Sequence, residues 1–318
     1  MSGAGVGRRG CVVSRGTMAR WLVTGGCGFV GSNLIRMILR DRPGVRVRNL
    51  DNLSLTGDRS NLAGVEGDDR YEFVLGDVSD ERSAAEAVRG CDAVLHLAAE
   101  SHVDRSIDDP RAFVVSNVVG TQTVLEAWRG AAGGDGAPLV HVSTDEVYGS
   151  LELGVGSRFT EGSPLRPSSA YAASKAGGDL VARAAWLTHG MRVVTTRSTN
   201  NYGAWQWPEK VVPRFVSCLM AGERVPLYGD GAHVRDWMDV EDHCEGILLA
   251  MEKGRAGAVY NLGASNERSN LELARVLVGV FGFGEEMIER VADRPGHDRR
   301  YGVDATLARE ELGWEPKR

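Results

Sequence analysis

Two stretches of this 318-residue chain carry side chains of the kinds that move protons. Ser143–Gly149 reads STDEVYG and sets Asp145 beside Glu146, directly after the apolar run LVHV. Tyr171 and Lys175 occur in YAASK, four residues apart. Adjacent carboxylates raise one another's pKa, so such a pair is either solvated at a turn or held for proton transfer. A tyrosine and a lysine at i and i+4 face the same way on a helix, where the ammonium favours the phenolate and lowers the phenol's pKa. Such a phenolate can take the proton of an alcohol while the alcohol's carbon loses hydride. An incidental helix pair is the plain alternative.

The elements that must position these groups follow from the hydrophobic pattern. Apolar runs at Arg20–Thr24, Val45–Asp51, Tyr71–Val78, Asp92–Ala99, Leu139–Thr144 and Met191–Asn200 read as strands. Between them SNLIRMILR, RSAAEAVRG, Phe113–Arg129 and Tyr171–His189 have apolar residues at helical spacing. Strands alternating with helices imply crossover connections and a parallel sheet covered on both faces. The expected fold class is α/β, a doubly wound parallel sheet. Beyond Asn200 the alternation weakens and Trp, Pro and Gly become frequent, which marks a smaller C-terminal lobe.

TGGCGFVG places Gly25, Gly28 and Gly31 at GxxGxxG spacing between the first strand and its helix. Glycines there allow a tight turn and let a pyrophosphate approach amides at the helix N-terminus. Asp51 ends the next strand, about 20 residues on, where a carboxylate accepts from ribose hydroxyls and repels a 2′-phosphate. The pattern therefore points to NAD rather than NADP, against the alternative of a packing turn with a capping acid. Asp77 and Val78 are placed beside the adenine, and Leu97, Ala98 and Ala99 are small or apolar enough to let the cofactor lie on the backbone. On this reading residues 18–199 form an NAD-binding Rossmann fold. Residues 200–318 form mainly a substrate-binding lobe, with segments such as 238–262 returning to the first domain. Residues 1–17, rich in Gly and Arg without an acid, read as a disordered tail, with Met18 a candidate start.

Bulk properties exclude several classes. A hydrophobic fraction of 42% with 25% charged residues is that of a globular chain. The net charge of −6 gives no support to nucleic-acid binding. No apolar run approaches the ~20 residues of a membrane span. The five cysteines form no CxxC, which fits reduced thiols in a cytoplasm better than disulfides or zinc. His233 and His243 stand ten apart with no evident co-ligand, so no metal is expected.

The motifs TGGCGFVGS, LHLAAESHVDRSI, VSTDEVYGS, YAASKAGGDL, TNNYGAWQWPEK, LYGDGAHVRDW, VEDHCEGI and RPGHDRRYGVD together resemble those of the extended short-chain dehydrogenase/reductases. Within these, the chain is most similar to the nucleotide-diphosphate-glucose 4,6-dehydratases, especially those acting on dTDP-glucose. The resemblance implies that Tyr171 and Lys175 serve an oxidation at carbon 4, with Thr144 on the carbon-4 oxygen. Glu146 would remove the carbon-5 proton, and Asp145 would protonate the leaving carbon-6 hydroxyl. It implies further cofactor contacts from Phe29, Val30, Asn52, Leu53 and Ser54, and from Ser116 and Asn201. Ser101, His102 and Asn200 would touch the sugar. Pro226, Leu227 and Tyr228 would line the base, with Asn270 near the nucleoside. The diphosphate needs a local basic pocket, for which Lys210 with neighbouring Val211, Arg235, Arg294 and His297 are the candidates. Cys27 stands where the family usually has alanine. The helices Phe113–Arg129 and Tyr171–His189 carry apolar residues on more than one face, so a homodimer through a four-helix bundle is expected. Alternatives are a UDP-glucose 4,6-dehydratase, a nucleotide-sugar epimerase, and a non-catalytic NAD-binding scaffold.

Overall fold

The computed structural model describes residues 18–131, 136–154, 156–293 and 296–318, so the expected tail and Arg294 lie outside the described residues. Its first six strands are β1 (Ala19–Thr24), β2 (Val45–Asp51), β3 (Tyr71–Leu75), β4 (Ala93–His96), β5 (Leu139–Thr144) and β6 (Val193–Ser198). The later ones are β7 (Asn200–Tyr202), β8 (Val225–Tyr228), β9 (Val234–Asp239), β10 (Val259–Leu262), β11 (Glu267–Ser269) and β12 (Ile288–Val291). The helices are α1 (Phe29–Asp41), α2 (Glu81–Val88), α3 (Val103–Asp108), α4 (Pro110–Val114), α5 (Gly120–Ala131), α6 (Ala170–His189), α7 (Val211–Met220), α8 (Val240–Lys253) and α9 (Asn270–Val280).

Seven strands form one sheet in the order β10-β6-β5-β4-β1-β2-β3, and every pairing in it is parallel. The expected doubly wound fold is therefore present. One apolar cluster, with residues of α1 and α8, covers one face; another, with residues of α2, α5 and α6, covers the other. Because the strands are parallel and in register, Thr24 pairs with His96 and Thr144 with Ser198. Their C-terminal ends thus share one edge, and the chain reverses direction across the sheet between β1 and β4. A ligand crevice belongs at such a switch point.

Two expected elements differ in detail. The run Met191–Asn200 is split: β6 stops at Ser198, and Asn200–Tyr202 pairs with β9 in a separate sheet of order β11-β9-β7. The expected helix Phe113–Arg129 is interrupted by a π turn at Val115–Val119 between α4 and α5. There the Asn117 amide is bound outside the helix, accepting from Glu100 N (2.8 Å) and donating to Glu100 O (3.0 Å) and Ser174 Oγ (2.8 Å). A side chain tied in three places accounts for the extra residue in the turn.

Candidate active site

A cleft of about 290 Å³ runs along the shared strand ends. At one end the tight turn after β1 leads into α1. A Cβ on Gly25, whose φ is +71°, would lie 2.7 Å from Ala98 Cα, and one on Gly31 would lie 2.2 Å from Gly25 O. These two glycines are needed to fold the turn. A Cβ on Gly28 would meet only Gly25 O, at 3.4 Å, so its glycine keeps space open in the cleft instead. Gly28 caps α1 without a side-chain bond, and the first turn has no acid, which leaves helix amides to receive an anion. Asp51 lines the same end and accepts from Cys27 N and Leu53 N, each at 2.8 Å; burial pushes its carboxyl up. A carboxylate has about four acceptor positions, so room remains for ribose hydroxyls. An open glycine cradle, an uncapped helix and a buried acid together fit a dinucleotide. Cys27 is itself buried, with Asn49 Nδ2 3.4 Å from its sulfur, so the residue substituted for alanine is packed rather than exposed.

Phe29, Val30, Asn52, Ser54, Val78, Leu97, Ala98, Ala99, Ser116 and Asn201 also line the cleft. Leu53 and Asp77 do not. Leu53, at φ +54°, packs against the apolar cluster of α1 and α8. Asp77 is taken up by Asn52 Nδ2 (2.8 Å) and by Ser79 N and Oγ (2.7 Å each), bonds that hold its carboxyl low in spite of burial.

At the other end the cleft meets the proton-moving residues. Thr144 closes β5 and caps a 3-10 turn, Asp145–Tyr148, by accepting from Glu146 N at 3.3 Å. Glu146 is half-buried and faces the cleft. Asp145 is 1% exposed, and its Oδ2 has no hydrogen-bond partner among the described residues. Burial first, then the charges of Glu146 and Asp236, raise its pKa well above the carboxylate range, against Arg235 and Thr144. Asp145 thus holds its proton more tightly than a free carboxyl beside a second carboxyl, and burial contributes more to that than crowding.

Ser169 caps α6 by accepting from Ala172 N, which places Tyr171 and Lys175 on its first turns. Both line the cleft. The expected tuning of one by the other is not what the structure shows. Lys175 Nζ donates to Val142 O at 2.7 Å, and burial lowers its pKa to about 8. Burial and then the charge of Glu146 raise the Tyr171 phenol, while a hydrogen bond with Thr144 opposes them. The simple i, i+4 argument fails because desolvation in the packed cleft exceeds the neighbour effect.

Of the expected sugar and phosphate contacts, Ser101, Thr144, Asn200 and Lys210 line the cleft, Lys210 Nζ donating to Ser101 O at 2.9 Å. His102 sits just outside, 3.2 Å from Glu209, and Val211 begins α7. Arg235 lies over the Tyr301 ring at 4.3 Å and its charge reaches Asp145. Pro226, Leu227 and Tyr228 lie on β8, which among the described residues pairs only with β12. Tyr228 packs edge-on against His297, and His297 stacks on His233 at 3.7 Å between ring centres. Asn270 N donates to His233 O at 2.8 Å. The fold thus supplies His233 with neighbours the sequence did not reveal. His233, Asp293 and His297 converge closely enough to hold a cation, but Arg299 Nη1 is already 3.3 Å from His233 Nε2. Sequence reasoning missed His243, Gln206 and Trp207 in the cleft lining. His243 is buried with both ring nitrogens unpartnered among the described residues, and burial lowers it to about 3. Their motifs, VEDHCEGI and AWQWPEK, were visible; only the fold turns them inward.

The family profile described as GDP-mannose 4,6 dehydratase matches residues 22–318. A curated dTDP-glucose 4,6-dehydratase of Streptomyces griseus is 51% identical over 297 residues, covering 93% of this chain and 88% of the relative. A solved dTDP-glucose 4,6-dehydratase from Streptomyces venezuelae, with NAD bound, superposes with a TM-score of 0.90 at 48% identity, covering 94% of this chain and 92% of that one. A UDP-glucose 4-epimerase of Thermotoga maritima has the same fold at 30% identity, with a TM-score of 0.85 and 94% of each chain covered. The chain belongs to the GDP-mannose 4,6 dehydratase family, in which these dTDP-glucose 4,6-dehydratases are its near relatives.

Proposed function

We propose that the protein converts dTDP-glucose to dTDP-4-keto-6-deoxyglucose and water. One observation carries this reading: a fully buried Asp145, its carboxyl pushed up by burial, stands beside Glu146, which lines the cleft together with Thr144 and Tyr171. An epimerisation at carbon 4 has no use for a second proton donor and acceptor; a dehydration has use for both.

Tyr171 takes the carbon-4 hydroxyl proton, and Lys175, one helical turn on, brings a cation to the same cleft. The NAD held by the glycine turn would supply the hydride acceptor for carbon 4 and the hydride donor for carbon 6. Glu146 removes the carbon-5 proton, made acidic by the ketone. Asp145 gives its proton to the carbon-6 hydroxyl, which leaves as water. Gly28, the α1 amides and Asp51 hold the cofactor, and the small Ala98 and Ala99 let it lie close. Ser101, Asn200 and Lys210 hold the hexosyl diphosphate. The cluster of Tyr228, Asn270, His297 and Arg235 serves the nucleoside and phosphates, so residues outside the main sheet act as the substrate lobe.

The assembly is a homodimer. Val114, Val115 and Val119 on the α4–α5 segment and Leu180 and Leu187 on α6 are exposed, an apolar surface of the kind a second copy covers. Light scattering should return a dimer. Four free cysteines and no helix long and apolar enough to cross a membrane, among the described residues, support a cytoplasmic setting.

Incubation with dTDP-glucose in deuterated water tests the function. The expected product is a 4-keto-6-deoxy sugar with deuterium at carbon 5, and Glu146→Gln should slow its formation at least ~10²-fold. Turnover unchanged in Glu146→Gln would favour the epimerase.

A further inference from the structure

The redox pair and the acid–base pair sit on different elements. Tyr171 and Lys175 belong to α6, whereas Asp145 and Glu146 belong to the turn after β5. A reaction that uses both in sequence needs them held in a fixed relation, and a buried chain of polar contacts joins them. Asp179, two turns along α6 from Tyr171, lies on the same helix face and is buried. Its Oδ2 accepts from Arg197 Nε on β6 at 2.8 Å. Arg197 Nη1 donates to the Tyr148 hydroxyl at 2.8 Å, with the guanidinium also 4.8 Å from the centre of the Tyr148 ring. Tyr148 is the last residue of the turn that carries Asp145 and Glu146, and its hydroxyl donates to Asn261 Oδ1 on β10 at 2.8 Å.

Close packing does not fix this bridge from every side. A second cavity of about 300 Å³ lies behind it, lined by Asp179, Arg197, Glu161 and Trp186 among others. Where a cavity replaces packed side chains, directional bonds rather than contacts must hold position. Asp179 also has His141 Nε2 3.2 Å from its Oδ1, a hydrogen bond with Ser143 and the charge of Lys175 near it, while burial pushes the His141 ring down; Arg197 is its close ion-pair partner at 2.8 Å.

We infer that Asp179, Arg197 and Tyr148 are positioning residues that lock the acid–base turn to the redox helix, so that elimination follows oxidation on the same bound sugar. None of the three lines the catalytic cleft. The inference rests on the dehydratase reading above.

Tyr148→Phe tests it, since the substitution removes one hydroxyl and keeps the ring. Single-turnover experiments with dTDP-glucose would follow the near-ultraviolet absorbance of the reduced nicotinamide and deuterium entry at carbon 5. Oxidation should stay within about 3-fold of the native rate, while elimination slows about 10- to 100-fold, the range for a shift of order 1 Å in a reacting group. Reduced cofactor should therefore accumulate in the variant and not in the native protein. Asp179→Asn should slow elimination likewise, and elimination in the double variant should be no slower than in the worse single one, because both break one bridge. Equal slowing of oxidation and elimination by Tyr148→Phe, or a native elimination rate, would overturn the inference, as would multiplicative losses in the double variant. If Asp179→Asn does not fold, Tyr148→Phe alone decides. Failure of the native protein to make the keto sugar would instead refute the dehydratase reading.

Discussion

Asp145→Asn separates stability from activity in a way that follows from the site. Asp145 is buried, and burial with the charges of Glu146 and Asp236 pushes its carboxyl up. Its folded pKa lies above the unfolded value of ~3.9. Between the two values the folded state keeps a proton that the unfolded state has released, so stability falls as pH rises through that window. The slope is at most ~1.4 kcal/mol per pH unit, and above the folded pKa the loss is constant. Asparagine has the same shape and no proton to release, so the stability difference, variant minus native, should grow with pH at that slope. Its amide finds no partner waiting at Oδ2, a cost of about 1–3 kcal/mol that does not depend on pH. The slope, not the intercept, therefore carries the test. Urea unfolding of both proteins at several pH values from ~5 to ~8 gives it directly. Product formation should drop about 10²- to 10⁴-fold, the contribution of a positioned acid, while oxidation at carbon 4 persists. Parallel stability curves would show that Asp145 is not held protonated, and the acid assignment would fall with that.

Gly28→Ala and Gly31→Ala should fail differently. The first fits the unliganded fold and should keep its melting temperature while NAD affinity drops, whereas the second drives a methyl to 2.2 Å from Gly25 O and should lower both. Calorimetry for binding and thermal melts for stability distinguish them. Because burial depresses Lys175 to about 8, its ammonium is lost as pH rises through that value, and kcat/KM should decline on the alkaline side with an apparent pKa near it. Trp314→Ala removes a fully buried indole whose Nε1 donates to Asp242 O at 2.9 Å and should cost about 3–5 kcal/mol, read as a lower urea midpoint with an unchanged slope.

How far the sequence reached depended on how local each signal is. Strands buried in a parallel sheet are continuous apolar runs, and β1, β2, β5 and β6 could be found within two residues for that reason. Strands of three or four residues such as β7 and β11 are too short to show a period, and their pairing depends on distant partners. The π turn at Val115–Val119 was illegible because its cause, the Asn117 amide on Glu100, lies outside the helix. In the site, residue types and their place at strand ends could be read from spacing. The protonation of Tyr171 could not, since burial, which no spacing reports, decides it.

The chain leaves the main sheet after β6, builds β7 to β9, and comes back to add β10 against β6 before departing again. No single cut therefore separates the main sheet from the segments built outside it. A fragment ending near residue 200 would expose the long backbone edge of β6 and invite aggregation. Altering what this scaffold accepts by grafting a foreign lobe would need junctions on both sides of β10. Changing side chains within the lobe leaves that edge closed.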